Sequence, residues 1–169
     1  MPPPNQCFVS YAHADRQGFE RLCVHLTPVA ALLGFNLWHD KRIHAGDYWN
    51  HRIKAEIARS QIFVLLATPD FFASGYILNH ELPAIIGQHG AAGALVLPVI
   101  YRQCFWKGFF GNYIQVVPTD DAGRLRAVRD WQKPENGLHC AAEAIQAAVV
   151  DWFGIAPRSP MAALGVPTP

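Results

Sequence analysis

The sequence contains no apolar run of the roughly 20 residues that a membrane-spanning helix requires, and it has no basic tract. Its Lys and Arg total 14 against 13 Asp and Glu, a net charge of +1. Neither nucleic acid nor an anionic membrane surface therefore has an electrostatic claim on it. The start, Met1-Pro2-Pro3-Pro4, lacks the basic segment and apolar stretch of a secretion leader. Four cysteines, Cys7, Cys23, Cys104 and Cys140, share no short spacing. They read as reduced thiols, and the expected location is the cytoplasm. Eight histidines occur without an H-x-H or H-x-x-x-H pair, which leaves no metal site to assign. G-x-G-x-x-G is missing, which excludes a Rossmann dinucleotide site. No internal repeat is found.

What is present is an ordinary globular composition, 51% apolar and 16% charged, in a length that buries one domain well. Residues 1–5 read as a proline-rich lead, 6–154 as the domain, and 155–169 as a Pro/Ala-rich tail or linker. Apolar runs at 7–11, 35–38, 62–67 and 94–101 predict strands, with a weaker fifth at 113–117. Helices are expected from Asp15 as cap to about Leu33, over 48–60, from about Asn79, and over 138–153. Pro28 is expected to kink the first helix or split off its last turn. Pro83 places the third helix's start near Asn79, after a separate turn at 74–78, because a proline in a first turn removes no helical bond. Trp38, Trp131 and Trp152 are most simply core. Strand and helix alternate, and the central strands are apolar throughout. That pattern is an α/β fold: a parallel sheet with helices on both faces. Such sheets bind ligands beyond the carboxyl ends of their strands, here the loops 10–15, 39–47, 68–81 and 102–112.

One acid stands out among apolar neighbours on that edge. Glu81, in Ser74-Gly75-Tyr76-Ile77-Leu78-Asn79-His80-Glu81-Leu82, either faces a cleft and acts on a glycosidic bond or merely complements a helix dipole. Ser10, Tyr11 and His13 form a cradle for phosphate or ribose, or a plain strand-to-helix turn. Lys41 and Arg42 pair with a pyrophosphate, or are a solvated loop. Asp40 contacts a ribose, or braces its own loop. Cys104 has no basic neighbour in sequence and reads as packing.

The segment Phe8-Val9-Ser10-Tyr11-Ala12-His13-Ala14-Asp15 resembles the first conserved box of the Toll/interleukin-1 receptor (TIR) domain family. Trp38-His39-Asp40, with Ile43, Gly46, Trp49, Ile53, Ile57 and Ser60, resembles the second box and its BB loop. Ser74-x-Tyr76-Ile77-x-x-x-Glu81-Leu82 is similar to the segment with the family's catalytic glutamate, and Leu97-Pro98-Val99-Ile100 with Cys104-Phe105-Trp106 to the fourth strand of bacterial members. Four boxes in order, over residues 6–153, make the signal specific.

The resemblance implies a flavodoxin-like three-layer sandwich with a five-stranded parallel sheet in the order 2-1-3-4-5. For enzymatic members it implies hydrolysis or cyclisation of NAD, with the glutamate beside the nicotinamide ribose. NAD is then substrate, and no cofactor is expected. An aromatic residue often stands four positions before that glutamate. Ile77 is there in this chain, next to Tyr76, and Trp49 or Tyr48 is a substitute. Implied partners are further copies or other TIR domains, and a sensor domain or partner protein. The expected setting is bacterial immunity. A non-enzymatic adaptor and a nucleoside-processing transferase are the competing readings.

A lone carboxylate is chemically sufficient for that reaction. O-glycosidases need a second one to protonate the leaving oxygen. Nicotinamide in NAD is already a pyridinium and departs neutral, so only the developing ribosyl cation needs stabilising. Near a helix start, Glu81 is expected to stay ionised.

Overall fold

The computed structural model describes residues 2–39, 48–90 and 93–166, with side chains except at 48–50. Four strands form one parallel sheet: β1 (Gln6–Ser10), β2 (Asn36–Trp38), β3 (Ile62–Ala67) and β4 (Leu95–Ile100), in the order β2-β1-β3-β4. Phe8 lies opposite both Trp38 and Phe63, and Val64 opposite Leu97. β3 and β4 are buried at every residue, as a strand covered on both faces must be.

Alternate residues of the strands feed two cores. On one face Cys7, Val9, Val64, Leu66 and Val99 pack under α1 (Arg16–Leu33) and the long helix Pro134–Phe153, through Phe19, Leu22, Leu26, Ile145 and Val149. On the other, Phe8, Phe63, Leu65 and Val96 pack under α2 (Tyr48–Arg59), α3 (Pro69–Ala73) and α4 (Leu82–Gln88), through Ile53, Ile57, Phe71 and Ile85. The short α5 (Lys107–Phe110) adds Phe110 to this side, and the long helix is numbered α6. After Gly154 the chain turns back to the end of α1. The Arg158 N–H donates to the Leu32 carbonyl at 2.8 Å, and Ser159 caps α7 (Pro160–Ala163).

The α/β sandwich expected from the sequence is present, with differences that have physical causes. The fifth strand shrinks to a bridge at Val117, which donates to Pro98 O (3.0 Å) and whose own carbonyl accepts from Ile100 N (2.8 Å). A further rung there would need the Pro98 N–H, which does not exist. Because the Pro98 carbonyl faces this edge, its missing N–H does too, and the β3–β4 ladder loses nothing. α1 runs unbroken through Pro28 to Gly34, whose φ of 81° ends it in the left-handed region. Asp15 does not cap α1 with its side chain; its carboxylate accepts instead from Thr68 and Arg102. α6 starts at Pro134, a turn before 138, with proline in the first turn.

The segment around Pro83 also differs. There is no separate turn at 74–78. The backbone is helical from Gly75 to Gln88, with a π-helical stretch at Ile77–Glu81. Within it the Leu82 N–H reaches back five residues to the Ile77 carbonyl. The wider turn makes room for the Pro83 ring, which would otherwise collide with the carbonyl four residues back. Finally, the three tryptophans are half-buried. Trp38 stacks on Phe8, Trp131 donates to the Arg126 carbonyl (3.2 Å) and Trp152 to that of Gly93 (3.0 Å). An indole has one N–H that needs a partner, and a core of aliphatic side chains offers none.

Candidate active site

β1 ends at Ser10, on the carboxyl edge of the sheet, between the edge strand β2 and the buried β3. The π-helical stretch brings Glu81 over this end. The Ser10 hydroxyl donates to Glu81 Oε2 at 2.7 Å, and both residues are buried. A buried carboxylate needs donors to replace lost water, and a bond of this kind contributes about 1.5–3 kcal/mol. Glu81 makes no capping bond to its own helix. With helical backbone starting at Gly75, it stands more than a turn inside the helical run. The helix-dipole reading therefore explains neither its position nor its orientation.

Beside the pair lies a pocket of about 180 Å³, lined by Phe8, Ser10, Tyr11, His13, Trp38, Ile53, Ser74, Tyr76, Ile77 and Glu81 among others. Six of the residues singled out in the sequence thus converge: Ser10, Tyr11, His13, Tyr76, Ile77 and Glu81. They differ in what they offer. The Tyr11 ring stacks on Phe19, centroids 3.8 Å apart, and so belongs to the α1 core as much as to the pocket. His13 is exposed at the mouth, and Ile77 is buried with the second core. The Tyr76 hydroxyl is pushed up to about 12, first by burial and then by the negative charge of Glu81. It keeps its proton at neutral pH and is a donor as well as an acceptor. Asp40 and Arg42, with Lys41, lie outside the described residues, as does the side chain of Trp49.

Trp38 is the pocket residue that sequence reasoning placed elsewhere. Its ring stacks on Phe8 at 4.9 Å and 14°, and it lines the pocket that Glu81 lines. The available signal was the edge position of β2: a tryptophan at the carboxyl end of an edge strand has no second strand to cover it.

A parallel α/β sheet covered by helices on both faces, with a buried acid at the carboxyl ends of its strands, is the class of domain that the fold and the site define. A family model described as TIR domain matches residues 7–128, and the chain belongs to the TIR domain family. Over 162 residues it is 28% identical to the uncharacterized protein y4lF of Sinorhizobium fredii (strain NBRC 101917 / NGR234), covering 96% of this chain and 49% of that one. The chain thus spans about half the length of that relative. Among the described residues no helix is long and apolar enough to cross a membrane.

Proposed function

We propose that the pocket takes the nicotinamide-ribose end of NAD and that Glu81 supports cleavage of the bond between them. One observation carries this reading: a buried carboxylate, oriented by a serine hydroxyl at 2.7 Å, at the edge of an aromatic-walled pocket. The ribose C1′–nitrogen bond breaks and its electron pair goes to the pyridinium nitrogen, so nicotinamide leaves neutral. The cation left on the ribose is met by the Glu81 carboxylate, which a low-dielectric site makes more effective. Water then attacks C1′ and gives up a proton, yielding ADP-ribose; attack by an adenine nitrogen of the same molecule yields a cyclic product instead.

Tyr76 and Trp38 are the aromatic groups we assign to the nicotinamide, since Ile77 is occupied in the core. A pyridinium cation is drawn to an indole face. The pocket is smaller than the roughly 300–1,000 Å³ that encloses a drug-sized ligand. It therefore suits one end of a dinucleotide, and the remainder needs groups from beyond it. Asp40, Arg42 and Trp49, or a second copy of the chain, are the proposed source. The fitting setting is a cytoplasmic bacterial defence protein acting as an oligomer, with a sensor domain or partner.

The test is turnover of a fluorescent NAD analogue by concentrated purified protein. Turnover that Glu81→Gln abolishes supports the reading; equal turnover by that variant contradicts it. A second reading, a binding module without activity, draws on the exposed aromatics Phe105 (76%) and Tyr113 (93%) after β4, side chains of a type enriched where a partner covers a surface. It expects partner capture that Tyr113→Ser weakens and Glu81→Gln leaves intact.

A further inference from the structure

Three charged residues in the connections that follow β1, β3 and β4 take no part in the chemistry just outlined. Asp15 is the first, with only 5% of its side chain exposed. It stands at the start of α1, where capping the helix would be its nearest use, yet it makes no capping bond. One carboxylate oxygen accepts from the Thr68 hydroxyl and the other from Arg102 Nη2 at 2.9 Å. The same Nη2 donates to Asp70 Oδ2 at 2.5 Å. The Thr68 oxygen in turn accepts the Phe71 N–H at 3.0 Å and so caps α3.

These groups come from the connections after β1, β3 and β4, and the first two of those connections also supply lining of the pocket, His13 on one and Ser74, Tyr76 and Glu81 on the other. Asp15 closes the turn that begins at His13, three residues after Ser10. α3 runs into the helical segment that carries Glu81. The two walls meet at the Ser10–Glu81 hydrogen bond. From this geometry we infer that Arg102 is a positioning residue: by tying Asp15 to the head of α3 it holds Ser10 and Glu81 in register. The inference rests on Glu81 being the working carboxylate.

A tie that served only the fold would change melting temperature and leave the folded pocket alone. Positioning has two further consequences. In full-length Arg102→Gln, kept well below its melting temperature, amide exchange rises both in 10–15 and in 74–81, segments far apart in sequence. NAD turnover falls about 10- to 100-fold in kcat with little change in KM, the scale of a misplaced reacting group. Arg102→Lys restores both, because one nitrogen serves both carboxylates and an ammonium has three donors. Asp70→Asn, which leaves Asp15 its charged partner, gives the same changes in smaller measure and covers the case in which Arg102→Gln does not fold. Exchange confined to one segment, or unchanged in both, overturns the inference, as does failure of lysine to restore protection. The exchange arm needs no turnover. An inactive wild-type protein would therefore count against the enzymatic reading, while the tie itself is still judged.

Discussion

Glu81 is buried, and the pocket beside it is lined by Phe8, Ile53 and Ile77 as well as by Ser10 and Tyr76. Ser10 donates at 2.7 Å. Ser10→Ala removes that donor from a buried charge and is expected to lower kcat about tenfold, with Ser10→Thr recovering most of it. Equal rates for all three proteins would show that the bond is incidental. Tyr76 reports on the same charge. Burial and the Glu81 anion both raise its phenol, to about 12. Removing the anion makes the phenolate easier to form, so Glu81→Gln lowers the Tyr76 titration toward the ordinary value without reaching it, since burial persists. Absorbance of tyrosinate against pH measures this, and an unmoved titration would separate the two side chains. Glu81 was legible as an acid out of place among apolar residues. Trp38 was legible only through the implied strand order, which puts β2 at the edge of the sheet; residue pattern alone does not tell an edge tryptophan from a core one. Arg102 was missed: its partners stand 87 and 32 residues away.

At the scale of elements, β3 and β4 were readable because an unbroken apolar run bounded by loops has few other folds. The segment 75–88 was not. A π-helical turn depends on how a proline ring meets a carbonyl, and no periodicity announces it. If Pro83 is what demands that turn, Pro83→Ala lets the regular i→i−4 pattern close and rotates Glu81 away from Ser10. Turnover should then fall although melting temperature does not. Wild-type turnover would mean that the turn is held by packing alone. Gly137 in α6 offers a cleaner packing test. Alanine there gains about 1 kcal/mol in helix propensity. Its Cβ, however, would lie 2.7 Å from Trp131 Cδ1 and 3.0 Å from the backbone Val128 Cα. Overpacking costs about 1–3 kcal/mol, so Gly137→Ala is expected to be destabilised in chemical denaturation. α1 and α6 are also joined by an exposed cluster in which Arg21 (3.0 and 2.8 Å) and His25 (2.9 Å) bind Glu135. Arg21 and then His25 hold the Glu135 carboxyl down to about 2. A depressed carboxyl stabilises above its unfolded value of about 4.3 and loses that contribution as pH falls through about 2. Glu135→Gln should cost about 1–3 °C in melting temperature at pH 7, the scale of a surface pair. The difference should shrink as pH falls from 4 toward 2.

Across the whole molecule, sequence pattern specified a sheet with two covered faces and a polar carboxyl edge, because each requires only period and polarity. The edges were less readable. The fifth strand is cut short by Pro98, a proline that reads from sequence as part of a fine apolar strand. On the enzymatic account, a small pocket and a net charge near zero favour completion of the site by another copy. Turnover per molecule should accordingly rise with protein concentration, and a rate strictly proportional to protein would remove the need for assembly. The most direct measurement is nicotinamide release from NAD by concentrated wild-type protein and by Glu81→Gln, side by side. The account expects release by the first and a loss of at least about a hundredfold in the second; no release by either, or equal release by both, contradicts it.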